Sequence, residues 1–149
     1  MDIHIFSDQD QRPAAFRLTY PEKEMSYLVV DAYNGGHAEV MKDRNMIVGY
    51  STANHGGVTE NFRNWFVVVS DTPFETQTVD GHIAMVGFKT AKGQKVNLKV
   101  ASSFISQEQA ELNLNELSGR SFDEIAEAGR DRWNEVLGRI AVEDDNLDN

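Results

Sequence analysis

Side chains able to do chemistry are few and scattered in this sequence. Histidine stands at His4, His37, His55 and His82, and there is no cysteine. No HExxH pair and no Cys/His cluster occurs, so the spacing that holds zinc is missing. Without a thiol there is neither thiolate catalysis nor a disulfide. The motifs GxSxG, GxxxxGKS/T and GxGxxG are absent. Asp8 and Asp10 form a DxD, and Glu143, Asp144 and Asp145 form an acidic run. Neither has the glycine that a calcium loop needs for its sharp turn, so they read as a turn and a solvated tail. Glycosidase chemistry needs two carboxyl groups flanking one bond. With 24 Asp and Glu residues in the chain, spacing alone selects no pair.

The most suggestive stretch is the irregular segment 51–61 (STANHGGVTEN). Its Gly56-Gly57 pair either lets a backbone approach a ligand closely or makes a mobile loop. His55 beside it is a ligand contact or a solvent-exposed loop histidine. Tyr50, Phe62, Trp65 and Phe66 flank the loop. Their aromatic faces suit the apolar face of a sugar ring, whereas burial in a strand is the plainer use of such residues. Phe66 reads as core, and Trp65 reads equally as core or as a stacking platform. Trp65, His55 and Tyr50 are thus the candidate substrate-binding residues. No catalytic residue and no metal ligand is assigned to the chain.

These candidates sit in a chain of 149 residues, 40% hydrophobic and 26% charged, enough for one domain with a real core. The formal charge of -10 disfavours nucleic acid and anionic membrane surfaces as partners. No apolar run approaches the ~20 residues of a membrane span. The N-terminal residues lack the basic and apolar regions of a signal peptide, so an exported parent would make this a mature piece.

Up to residue 105 the pattern is that of strands and turns. Apolar residues alternate in 3–6, 16–20, 46–50, 74–79 and 96–102, and WFVVV at 65–69 is the most β-prone run. YLVVDA at 27–32 is apolar almost throughout and predicts a central strand. Residues 22–24 predict an exposed turn. Asn34-Gly35-Gly36 predicts a tight reversal with 37–41 as the returning strand, and Asp80-Gly81 a type I′ hairpin. Eight or nine short strands without intervening helices predict a mainly β protein, an antiparallel β-sandwich. The period then changes from two to 3.6. Ser106 with Gln109, and Ser121 with Glu124, predict two helices opened by capping boxes, with Gly119 as the stop between them. Phe122, Ile125, Ala126, Gly129, Trp133, Val136, Leu137 and Ile140 form one stripe on the second helix.

At this stretch the chain resembles a known family. The run KVNLKVASSFIS at 95–106 leads into Gln109, Ala110, Leu112, Asn113 and Leu114. Phe122, Asp123, Ile125, Trp133, Asn134, Leu137, Gly138, Arg139, Ile140 and Val142 follow on the second helix. Upstream stand FRLTYP at 16–21, YLVVD at 27–31, Gly49-Tyr50, WFVV at 65–68 and Pro73-Phe74. The pattern is similar to the N-terminal β-sandwich domain and linker of glycoside hydrolase family 92, the calcium-dependent exo-acting α-mannosidases. The resemblance implies a supersandwich-like domain at 1–105, linker helices at 106–142 and an acidic tail at 143–149. It implies a parent enzyme in which a following α/α barrel is the partner domain and the active site lies between the two. The barrel would supply the general acid, the general base and the calcium carboxylates, so neither catalytic nor metal residues carry over to this chain. The implied substrate is a mannose-containing glycan, of α-1,2 type, hydrolysed with inversion by a periplasmic or secreted parent. The glycine-rich N-terminal segment of the family, part of its sugar pocket, has no counterpart here. This domain would be inactive alone, completing the pocket and bracing the barrel. The alternative is a free-standing carbohydrate-binding module without catalysis.

Overall fold

The computed structural model describes residues 12–139 and, as backbone, residues 2–7. The strands are β1 (Asp2–Ser7), β2 (Ala14–Tyr20), β3 (Lys23–Asp31), β4 (His37–Met41), β5 (Met46–Ser51), β6 (Asn64–Ser70), β7 (Thr76–Asp80), β8 (Ile83–Thr90) and β9 (Gln94–Ser103). Helices α1 (Gln107–Leu114) and α2 (Phe122–Leu137) follow, joined through a 3-10 turn at Asn115–Leu117. All pairings are antiparallel. One sheet has the order β1-β2-β9-β6-β5-β4, the other β3-β8-β7. This is the antiparallel sandwich with two C-terminal helices that the alternating pattern predicts.

Period-two alternation explains how the larger sheet serves two layers at once. Phe16, Leu18 and Tyr20 of β2, Ile47 of β5, Phe66 and Val68 of β6, and Val96, Leu98 and Val100 of β9 face the smaller sheet. There they meet Leu28 and Val30 of β3 and Ala84, Val86 and Phe88 of β8. The residues between them point the other way, toward the helices. Met46, Val48 and Val67 pack on Ala110 of α1, and Ala15 packs on Phe122, Ile125 and Ala126 of α2. Hence β5 is buried from Met46 through Gly49 on both faces. Each fully buried Ile, Val or Leu in these layers is worth about 1.5–3 kcal/mol.

The helices are fastened by polar groups as well. Ser106 caps α1, its hydroxyl accepting from the Gln109 N–H at 3.1 Å. The Gln109 side chain turns to Asn113 Oδ1 (2.9 Å) instead of reaching back, so α1 has a simple cap where a capping box is predicted. The cause is Asn113, which is 4% exposed and needs partners. It donates to the Ser102 carbonyl (2.8 Å) and accepts from Arg12 (2.7 Å). At α2 the predicted box is complete, with Glu124 accepting from the Ser121 N–H at 2.7 Å and donating its own N–H to the Ser121 hydroxyl at 3.3 Å. Gly119 takes φ 72° between the two helices, as a left-handed stop must.

Several local expectations differ from the structure. Residues 27–31 lie in an edge strand, with Tyr27 and Val29 about half exposed; their apolarity reflects an open sheet face rather than a central place. Lys23 and Glu24 belong to that same strand, which is bulged between Lys23 and Ser26. The turn at Asn34–Gly36 is no hairpin: β3 pairs with β8 and β4 with β5, so this turn carries the chain from one sheet to the other. The β7–β8 turn has Gly81-His82 at its centre, and only Gly81 has positive φ, as in a type II′ rather than a type I′ turn. Phe74 plugs the sandwich core ahead of β7, whose five residues are all exposed. On α2 the predicted stripe is buried at Phe122, Ile125, Ala126 and Gly129, but Trp133 and Leu137 are 45% and 65% exposed. Ile140 and Val142 of the same stripe, the Asp8–Asp10 pair and the acidic run at 143–145 lie outside the described residues.

Candidate functional site

One end of the larger sheet gathers the aromatic candidates. His37, Tyr50, Trp65 and Ser103 are register partners across β4, β5, β6 and β9, so they form a single row on the helix-facing side. The Tyr50 and Trp65 rings meet edge to face, with centroids 4.9 Å apart and planes at 63°. His37 stands 6.1 Å from the Tyr50 ring on the other side. The Arg63 guanidinium lies 4.8 Å above the Tyr50 ring, a cation–π contact that covers one of its faces. Phe62 and Phe104 pair at 5.6 Å.

Trp65 is partly a core residue. Part of the indole packs on the cluster of Met46, Val48, Val67 and Ala110, and the residue is only partly buried. The loop 52–63 is shaped by its own short polar bonds. Asn54 Oδ1 accepts from the Gly56 N–H (2.7 Å), and its amide donates to the Thr52 carbonyl (2.9 Å). Gly56 and Gly57 both have positive φ, with open space where a Cβ would stand. His55 is exposed in this loop, and the structure joins it to neither Tyr50 nor Trp65 by a ring contact. Structure therefore brings Tyr50 and Trp65 together, adds His37 and Arg63 to them, and leaves His55 on the adjoining loop.

The sequence offered no reason to single out Arg63 or His37. The signal was there only in the β4–β5–β6 register, which spacing within one strand does not reveal.

Cavities lie where the helices meet the sheet, and two of them concern the polar ties between the layers. One, of about 330 Å³, is lined by Arg17, Asp71, Asn97, Lys99, Arg120 and Phe122, among others. Here Arg17 makes a forked pair with Asp123 (2.7 and 3.1 Å), donates to Asn97 (2.9 Å) and stacks 4.1 Å over Phe122. The Lys99 ammonium donates to the carbonyls of Leu117 (2.8 Å) and Arg120 (2.7 Å). Burial, then the Arg120 charge, push the Lys99 pKa down. The second cavity, of about 320 Å³, is bounded by Arg12, Ser102, Ser103, Phe104, Ile105, Gln109 and Asn113. Neither cavity is lined by two carboxylates, so neither has the makings of a glycosidase acid–base pair. Their polar groups already bond one another and tie helix to sheet.

Among the described residues no group of three His, Asp or Glu side chains converges as a metal site, so these residues do not fit a calcium cage. No helix among them is long and apolar enough to cross a membrane.

No family model matches the chain. No curated protein matches it either. Solved structures do. An inverting mannosidase of family GH92 from Bacteroides thetaiotaomicron superposes with a TM-score of 0.79 and is 34% identical, over 89% of this chain and 20% of its own. A GH92 family glycosyl hydrolase gives a TM-score of 0.72 at 25% identity, over 89% of this chain and 20% of its own. A GH92 α-mannosidase, also from Bacteroides thetaiotaomicron, gives 0.70 at 20% identity over 90% of this chain and 22% of its own, a likeness of fold. The chain thus spans about a fifth of the length of each of these proteins. Over 89% of its length the chain shares its fold, and 34% of its residues, with the GH92 inverting mannosidase, and it is the counterpart of the N-terminal β-sandwich domain of glycoside hydrolase family 92.

Proposed function

We propose that this chain is the β-sandwich domain of an α-mannosidase, working on α-1,2-linked mannose at the non-reducing end of a glycan. The observation that carries the proposal is the 34% identity over 89% of the chain to an inverting mannosidase. In this reading residues 1–105 form the sandwich, 106–142 the linker and 143–149 a tail, and an α/α barrel is the partner domain.

The domain's own work is binding and positioning. Tyr50 and Trp65 wall one side of the sugar pocket, and Arg63 fixes the tilt of Tyr50. His55 reaches the sugar from loop 52–63. An apolar wall also keeps bulk water from a reaction that must admit a single attacking water between two carboxyl groups about 6.5–9.5 Å apart. Those carboxylates, and the calcium of the parent enzyme, belong to the barrel; no step of this domain passes through the ion. The exposed part of α2, with Trp133 and Leu137, is the brace that meets the barrel. In this reading the parent acts in the periplasm or outside the cell.

The test is an assay of the chain and of its full-length parent on α-1,2-mannobiose with calcium. The parent turns over and the chain alone does not. Turnover by the chain alone overthrows the division of labour. The open aromatic row favours a second reading, a free-standing carbohydrate-binding module; micromolar glycan affinity of the isolated chain, lost in Trp65→Ala, would establish it in place of a pocket wall.

A further inference from the structure

Tyr33 combines two features that rarely go together. Its φ is 64°, in the left-handed region that a bulky side chain avoids, and the residue is 64% exposed. The strain is therefore not offset by burial. Glycine or asparagine would make the same turn without it. The conformation is held in place from several sides. Asp31 Oδ1 accepts from the Tyr33 N–H (2.8 Å), and the Tyr33 carbonyl accepts from the Gly36 N–H (2.9 Å). His82, on the β7–β8 turn, sets its Nε2 3.0 Å from Asn34 Oδ1. Its carbonyl accepts from the Ala32 N–H (2.9 Å). Strained residues held this firmly cluster at ligand clamps.

The place of the loop matters as much as its shape. A Cβ on Gly36 would lie 2.7 Å from the Tyr50 carbonyl, so the Tyr33 loop rests directly on the end of β5 that carries Tyr50. The Thr52 hydroxyl reaches the Asn34 carbonyl at 3.5 Å. Tyr33 is thus presented at the same end of the sandwich as the Tyr50–Trp65 pair, from the opposite side of the β5 terminus.

We propose that Tyr33 is a second saccharide contact, stacking on the sugar unit next to the one that Tyr50 and Trp65 meet. The inference rests on the pocket-wall reading above. Its ligand class is a di- or oligosaccharide of pyranose units, the exposed aromatic face covering the apolar face of the second ring.

The test uses backbone amide shifts of the 149-residue chain titrated with methyl α-mannoside and with α-1,2-mannobiose. The monosaccharide shifts amides around Tyr50 and Trp65; the disaccharide also shifts residues 31–36 and binds at least tenfold tighter. Tyr33→Asn, which suits the left-handed turn, removes that tenfold gain without lowering the thermal midpoint, and Tyr33→Phe keeps it. A disaccharide that moves only the Tyr50–Trp65 amides, or an unchanged gain in Tyr33→Asn, overturns the role of Tyr33 and leaves the pocket wall standing. No shift with either sugar overturns both.

Discussion

Replacing Ile125 by alanine tests whether the helices are part of the sandwich or an appendage to it. Ile125 is fully buried in a cluster with Ala15 of β2, Leu117 of the 3-10 turn, and Phe122 and Ala126 of α2. The change removes three carbons. At about 0.8 kcal/mol for each, the transfer loss is roughly 2.4 kcal/mol, and the cavity left behind brings the total to about 3–4 kcal/mol. That is a large share of a domain's net stability of about 5–15 kcal/mol. The polar tethers Arg17–Asp123 and Lys99–Leu117 survive the substitution, but a 16-residue helix is marginal in water without its apolar contacts. The two tryptophans make the assay, since Trp133 lies on α2 and Trp65 on β6. Urea unfolding is followed by fluorescence in Trp133→Phe and Trp65→Phe backgrounds. Both probes report one coincident transition, and Ile125→Ala lowers its free energy by about 3–4 kcal/mol in each. A Trp133 transition that moves alone while that of Trp65 stays would refute the reasoning, as would a loss under about 1 kcal/mol.

Two further outcomes follow from packing and charge. Gly49→Ala drives a Cβ into the His37 carbonyl and to within 2.7 Å of the Phe66 ring, between paired strands that cannot part. It lowers stability by about 1–3 kcal/mol or more in denaturant unfolding, and a neutral result would show that β4 is not seated as described. Several carboxylates are held below their ordinary pKa: Asp123 by hydrogen bonds from Arg17, Glu124 by the Ser121 N–H, and Glu111 by Arg44. A depressed folded-state pKa gives stability that is present above the unfolded value near 4 and lost as pH falls through the lower folded value. The thermal midpoint is therefore flat with respect to these groups above about pH 5 and drops from about pH 4 downward. Asp123→Asn flattens part of that drop, and an unaltered acid limb in the variant would deny the Arg17 pairing its role.

The strand and helix content was legible because both periods were written cleanly into the chain. Val96, Leu98 and Val100 alternate with Asn97, Lys99 and Ala101, and the structure sends the first set to the core and the second to the helices. What alternation within a strand does not encode is which strand lies next to which. The Asn34–Gly36 turn has every local mark of a hairpin, yet its neighbours pair elsewhere: β3 finds β8 across a long stretch of chain, and β4 makes its hairpin with β5 through the next turn. The same limit hid the candidate site. Tyr50 and Trp65 could be picked from their flanking loop, but His37 joins them only through the β4–β5 register, and Arg63 only through its fold over the Tyr50 ring. The Gln109 half of the α1 cap was misread for a different reason. A buried Asn113, invisible as buried in one dimension, competes for that side chain.

The central claim, that this sandwich walls a mannoside pocket with its aromatic row, is tested most directly by the fluorescence of Trp65. In the Trp133→Phe protein, Trp65 is the sole indole. Titration with α-1,2-mannobiose should change its emission saturably in the millimolar range, with cellobiose at equal concentration giving no such change. Emission indifferent to the mannoside, or equally responsive to both sugars, would contradict the claim.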